Sequence, residues 1–409
     1  MVSSPNMCLL CKGSRALCGN VNCPLLPRIR LSPTIESRVS KDFFGPGMNV
    51  FVGRIGYPNV GVGPLAAIES RPNMDSPASW FGQEYGDIIE MRSLMLRSKN
   101  NQSIFSRSRF IGEMQELALA NKPTDLEMGF RKKPVYRVSF SDVFQPMGPT
   151  ATIERMKITE NTRIDPRVES IVRDELKARE ASYMLYSRGQ DVYKITTILS
   201  SGALGMNERK KLVPTRWSIT ATDDMIARDL LRRIRDFPSV NEFQVFSSRY
   251  LDNHFQILLM PGNWEYENFE AWAPGSFWSQ SMKEMQIVEE YEPFRGRTKY
   301  ADKEGGGYYA ARLGVIEGLA ELRRQARVVV FREVYEGYTI PMGVWVVRET
   351  ARNALRGQPE KFATLAEAML HIGSKLRLPM QEYVKRSRIL KQRRVSDFGS
   401  ASGFNRKTL

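Results

Sequence analysis

Histidine is nearly missing from this chain: His254 and His371 are the two that occur among 409 residues. Imidazole is the usual side chain for proton transfer and metal binding near neutral pH, so a Ser-His-Asp arrangement or a two-histidine metal site is poorly supported. A structural role is expected for both residues. No GxxxxGK[ST] run is present, which removes the P-loop and its usual ATPase mechanism. Long apolar runs are missing too. A membrane helix needs roughly 20 apolar residues, whereas ILLM at 257–260 and VVVF at 328–331 read as buried strands. The first residues lack a basic patch followed by an apolar run, so no export signal is expected and the cytoplasm is the expected location.

Cysteine is scarce too, but its four copies are clustered: Cys8, Cys11, Cys18 and Cys23, spaced C-x2-C-x6-C-x4-C. A two-residue gap lets neighbouring thiolates on a tight turn grip one tetrahedral metal. Gly13, Gly19 and Pro24 supply the turn chemistry. So short a segment cannot bury enough apolar surface to fold alone, and the metal would supply its folding free energy. Disulfides are unexpected in a reducing compartment. Four thiolates leave no open coordination position, so the expected cofactor is a structural Zn²⁺, with an iron–sulfur cluster as the alternative.

The composition is that of a globular chain, 42% hydrophobic and 26% charged, long enough for two or three structural units. The formal charge is +15, and it is unevenly spread. From Ile372 to Leu409 ten lysines and arginines face two acids, Glu382 and Asp397, so this stretch alone carries +8. It reads either as a solvated tail or as one that meets a polyanion or a partner.

Three parts are expected: a zinc-binding module over 1–30, a mixed α+β core over 34–371 with a possible break near 190–215, and a basic helix with a flexible tail over 372–409. Pro24 to Pro33 reads as an extended linker. The glycines at 45, 47, 53, 56, 61 and 63 mark either a tightly turned β-ribbon or a backbone that approaches a phosphate closely. Helical spacing runs through 79–99, and 135–140 reads as a strand. A helix is expected over 165–189, with Asp165 as its cap, Pro166 in its first turn and Gly189 at its end. Residues 242–262 read as a hairpin turning at Leu251-Asp252-Asn253. A helix over 308–326 leads into a strand over 327–335. A strand over 343–348 leads into a helix over 349–356, and helices near 362–374 and 379–391 close the chain.

Two basic constellations carry candidate chemistry. Lys210 and Lys211, then Arg216 beside Trp217, combine charge for phosphate with a ring that can stack on a base; a solvated loop is the plain alternative. Asp223 and Asp224 follow. They either hold a divalent metal, Mg²⁺ or Mn²⁺, or form the first turn of a helix over 223–235 capped by Thr222. The second constellation joins Arg295, Arg297 and Lys299 to Gly305, Gly306 and Gly307 at a helix start, the pattern of a phosphate-binding floor or of a flexible loop. Asp302 and Glu304 beside it would repel phosphate unless they carry a metal.

Near the end, Gln392, Val395 and Phe398 follow the Q-x-x-aliphatic-x-x-aromatic pattern of the PIP box, the peptide that binds sliding clamps. One turn of 3₁₀ helix puts Val395 and Phe398 on one face for an apolar pocket. Gly399 stands where the box usually has a second aromatic.

The N-terminal cysteine cluster, FVGRIGYPNVGVGP, KLVPTRWSITATDD at 211–224, GGYYAARLGVIEGLAELRRQA and YTIPMGVWVVRETARNAL together resemble the archaeal Nre family of DNA-repair proteins, in order and over nearly the whole chain. The resemblance implies a part in repairing damaged DNA and binding to PCNA, the archaeal sliding clamp, through Gln392, Val395 and Phe398. It carries over no catalytic residue. Three functions are therefore in play. The first is a clamp-recruited repair factor with a nucleic-acid-engaging core. The second is a metal-dependent phosphoesterase or nuclease acting on DNA, with Asp223, Asp224, Asp302 or Glu304 holding Mg²⁺ or Mn²⁺ while Arg297 and Lys299 neutralise phosphate. The third is a non-enzymatic RNA-binding protein.

Overall fold

The glycine-dense stretch builds a barrel. In the computed structural model, which describes residues 26–136, 148–274, 282–338 and 340–392 together with 276 and 279, that stretch forms β1 (Asp42–Val52) and β2 (Asn59–Ala67). With β3 (Met95–Ser103), β4 (Thr124–Phe130) and β5 (Thr150–Ile158) they close in the order β1-β2-β3-β5-β4. Alternation points Val50, Val52, Val60, Val62, Leu96, Leu126, Met128, Phe130 and Ile153 inward. Glycine is needed where the barrel is tightest. A Cβ at Gly63 would stand 2.2 Å from the Ser98 carbonyl, and one at Gly47 2.4 Å from Leu126. The tightly turned ribbon is what these glycines build.

Two helices pack on the barrel, one on its side and one at an end. α1 (Leu26–Arg38) lays Leu31 and Ile35, and Val39 just after it, against Met48, Leu65 and Met95. The short α2 (Pro77–Trp80) and α3 (Tyr85–Ser93) lead into β3. α4 (Arg109–Leu119), capped by the Ser108 hydroxyl accepting from the Ile111 N–H, closes one end with Ile111, Met114 and Leu117. β3 runs parallel to β5, and β1 pairs antiparallel with β4. That strand order, with one helix between the third and fourth strands, is the topology of an OB-fold barrel.

The second body is a six-stranded sheet in the order β11-β6-β7-β10-β8-β9. Its strands are β6 (Phe243–Tyr250), β7 (Asn253–Met260), β8 (Glu265–Trp272), β9 (Gln286–Glu292), β10 (Arg327–Val334) and β11 (Glu360–Phe362). β8 and β10 are parallel and the other pairs antiparallel. One face is covered by the layer of α5 (Pro166–Arg173), α6 (Ala178–Ser187), α7 (Val192–Ser200), α8 (Thr215–Ile234), α9 (Gly306–Leu322) and α10 (Trp345–Arg356). α11 (Leu365–Lys375) and α12 (Met380–Arg386) cover the other. The architecture is mixed α+β, as the sequence predicts.

Several expected elements hold. Leu251 and Asp252 take φ of 46° and 56°, the positive pair a two-residue hairpin turn requires. Asp165 accepts from the Arg167 N–H with Pro166 at the helix start. Others change. Pro33 lies inside α1, because the i, i+4 spacing of Leu31 and Ile35 buries a helical face on the barrel. The helical spacing over 79–99 ends at Ser93, after which Met95 and Leu96 are taken up by strand pairing with β2. The 165–189 helix breaks into α5 and α6. Residues 345–348 start α10 instead of forming a strand: Val346 and Val347 face two different apolar clusters, so a helix buried all round imitates a buried strand. α8 begins at Thr215, which puts Thr222 and Asp223 in mid-helix and removes Thr222 as a cap. Most of 135–140 lies outside the described residues.

The basic C-terminal segment is docked as far as Lys391. Glu333 accepts from the Arg377 and Leu378 N–H groups and the Tyr383 hydroxyl. Glu267 accepts from the Ser387 hydroxyl and the Arg388 and Ile389 N–H groups. Two buried carboxylates thus replace water for backbone donors that no helix satisfies.

Candidate nucleic-acid interface

The basic run before α8 lies against one end of the barrel. The Leu212 N–H donates to the Ile104 carbonyl at 2.9 Å, and the Val52 N–H donates to the Thr215 hydroxyl at 2.9 Å. These two bonds fix α8's first turn beside the loop between β1 and β2. There the Trp217 ring leans on Tyr57, with centroids 5.2 Å apart and planes tilted by 56°. Trp217 keeps 45% of its surface in water, and Arg216 beside it is exposed. Lys211 is exposed, while the Lys210 ammonium donates to the Val172 carbonyl at 3.1 Å. Partial burial pulls the Lys210 pKa down, and nearby Arg107 adds like-charge repulsion. Arg107, Lys210 and Lys211 line a polar cleft of about 260 Å³ together with Ser106, Ser108 and Gln115. The structure therefore brings Lys210, Lys211, Arg216 and Trp217 to one place. It adds Tyr57, Phe105 and Arg107, which sequence reading missed; the available signal was an aromatic stranded in the polar run NNQSIFSRSR.

The second constellation resolves differently. Arg297 donates to Glu290 at 2.8 Å and to the Tyr291, Lys299 and Tyr300 carbonyls, and lies over the Tyr308 ring. Its fork is used to build the loop. Lys303 is paired with Glu289, and Arg295 and Lys299 are not buried. α9 starts at Gly306 after Gly305, whose φ is +56°. A Cβ on Gly307 would meet Glu270 Oε1 at 2.3 Å. Glu270 holds Arg332 at 2.5 Å, and the Asn268 amide donates to Glu304 at 2.5 Å. Burial, then the charge of Glu270, pushes the Glu304 pKa well up. Two carboxyl groups stand where the sequence placed a phosphate floor: Gly307 admits Glu270, Gly306 lies against Val344, and Gly305 supplies the positive φ that leads into the helix.

The four candidate acids do not converge. Asp223 is buried and held by Arg348 through Nη2 contacts of 2.7 and 2.5 Å. Asp224 pairs with Arg228 at 2.7 Å and lies 3.6 Å from Arg312. Asp302 is exposed on the loop, and Glu304 faces Asn268 and Glu270. Among the described residues no three His, Cys, Asp or Glu side chains are grouped to hold a metal ion. His254 sits 3.3 Å from Asp252 and against Tyr335, and His371 lies 3.1 Å from Glu360. Cys8, Cys11, Cys18, Cys23, Val395 and Phe398 lie outside the described residues; Gln392 is the last described and is exposed. Among the described residues no helix is long and apolar enough to cross a membrane.

Comparison with known proteins accounts for both bodies. Residues 17–279 match the family described as Archaeal Nre, N-terminal, and residues 292–398 match Archaeal Nre, C-terminal. The chain belongs to the archaeal Nre family. Within that family it is 39% identical over 367 residues to the DNA repair protein NreA of Archaeoglobus fulgidus, covering 88% of this chain and 92% of that protein. It is 35% identical over 391 residues to the DNA repair protein NreB of the same organism, covering 95% and 97%. A third Nre relative, the DNA repair protein NreA of Haloferax volcanii, is 35% identical over 356 residues, covering 84% and 85%. No solved structure matches the chain.

Proposed function

We propose that this Nre chain is a cytoplasmic DNA-repair factor whose core engages DNA and whose C-terminal tail recruits it to the PCNA sliding clamp. The DNA-repair names of relatives aligned over most of both chains support the first half. The observation that carries core engagement is the meeting of Lys210, Lys211, Arg216 and Trp217 with Tyr57 and Arg107 at one barrel end. Cations there suit phosphates, and half-exposed rings suit bases.

The docked C-terminal segment supports the tether. Glu267 holds the backbone at Arg388 and Ile389, three residues before Gln392 begins the PIP-like motif. A motif leaving a fixed point keeps the core close to the clamp, and the resulting effective concentration makes a modest DNA affinity sufficient. The N-terminal thiolates Cys8, Cys11, Cys18 and Cys23 form a donor set suited to structural zinc in a reducing cytoplasm.

The test is retention of the full chain on immobilised PCNA. Phe398→Ala should cut retention at least about tenfold, since it empties the apolar pocket of its largest anchor. Undiminished retention of that variant removes the tether from the proposal.

A further inference from the structure

Among the described residues, one face of the barrel is left open. On the outer surface, Phe51 lies opposite Gly63 and Gly61 opposite Asn101, while Lys99 lies opposite Thr152 on β5. α1 covers the neighbouring part of the same surface at Met48, Leu65 and Met95, and no other described residue is packed over the stretch beyond it. Gly61 contributes no side chain, and the Lys99 stem lies 3.3 Å from where its Cβ would be. The Arg97 guanidinium lies 3.3 Å from the centre of the Phe51 ring. At the rim stand Tyr57 on Trp217 and, beyond the end of β3, Phe105, which keeps 65% of its surface in water. Ile55 in the β1–β2 loop keeps 79%.

Charge selects the ligand. No aspartate or glutamate occurs between Asp42 and Glu69, nor between Glu90 and Glu113, the two segments that supply β1, β2, β3 and their end loops. The same segments carry Arg54, Arg92, Arg97, Lys99, Arg107 and Arg109. Two acids lie on neighbouring elements: Glu154, exposed on β5, and Asp75, which accepts from the Asn49 amide on β1 and faces Arg92. Arg97 is largely desolvated and Arg92 repels it, which together bring its pKa down to about 10.

We propose that this face, floored by Phe51, Gly61 and Lys99 and rimmed by Tyr57, Trp217 and Phe105, binds single-stranded DNA. Large rings held in water beside cations match a chain that offers unstacked bases and phosphates together. A duplex hides its base faces inside the stack, and a neutral oligosaccharide has no use for a surface this basic. The face formed by the second and third strands, with its flanking loops, is where barrels of this topology take extended polymers. The assignment rests on the proposed nucleic-acid engagement and gives it a substrate class and a site.

The test is fluorescence anisotropy of the full chain with labelled oligo-dT, the matching duplex and oligo-U. Oligo-dT should bind at least about tenfold tighter than duplex. Trp217→Ala and Phe105→Ala should each weaken it roughly tenfold. Lys99→Gln should lower the slope of log affinity against log salt by roughly 0.7, one phosphate contact. Leu370→Ala on α11, on the far side of the second sheet, should change none of these. Both rim rings are exposed, so their loss leaves the fold intact, checked by an unchanged melting transition. Duplex or oligo-U bound tighter than oligo-dT, or oligo-dT binding indifferent to both ring variants, overturns the site. Failure to bind any nucleic acid overturns the site and core engagement alike. Nucleic-acid binding that survives the loss of both rings overturns the site alone.

Discussion

Asp223 and Arg348 meet inside the molecule with 1% and 2% of their side chains exposed, 2.5 Å apart at the closest. Such a pair gains little over a well-packed apolar substitute, but losing one member strands the other. Arg348→Met should therefore destabilise the protein by about 3–5 kcal/mol, read from urea unfolding at neutral pH. A loss under about 1 kcal/mol would mean that water reaches the orphaned carboxylate. The same geometry explains why Asp223 was a poor candidate for metal binding: both of its oxygens already serve the guanidinium. The adjacent letters Asp-Asp signal neither outcome, because the deciding partner lies 125 positions away.

At the scale of elements, α9 and α10 approach closely through glycine. A Cβ at Gly314 would lie 2.9 Å from the Ala351 Cβ and 3.2 Å from the Arg348 carbonyl, and one at Gly318 would lie 2.6 Å from Leu355. Backbone atoms line the first site, so it cannot adjust by rotating a side chain. Gly314→Leu should cost about 1–3 kcal/mol through overpacking, seen as a lower melting temperature. The reading of 308–326 as a helix and 327–335 as a strand came close to α9 and β10, since their apolar patterns are long. The run GVWVVR misled because a short apolar stretch looks alike in a strand and in a helix covered on every side.

Across the whole molecule, two binding functions are proposed at two places: the barrel end, and a tail that departs from the opposite side of the second sheet after α12. Sites without shared contacts contribute independently. Trp217→Ala should thus keep full retention on PCNA while losing single-strand affinity, and Phe398→Ala should show the reverse. Paired measurements on the two variants check this, and one substitution that abolished both activities would show a shared site. Of the +15 charge, +8 belongs to the stretch from Ile372 to Leu409 and the rest to the 371 residues before it.

What the sequence determined by itself was whatever depends on neighbours along the chain: the cysteine spacing, the 251–252 hairpin, the long helix into β10, and the basic and aromatic string from Lys210 to Trp217. The archaeal Nre resemblance was legible for the same reason, in contiguous motifs. The tertiary structure alone decided the closure of β1 onto β4, the parallel pairing of β3 with β5, and the placing of Thr215 on Val52 across 163 residues. It also decided which cations are spent. Arg297 is consumed by carbonyls and Glu290, whereas Lys211 and Arg216 face water. A charged side chain's chemistry depends on the partners within a few ångströms of it, and folding brings those from anywhere in the chain.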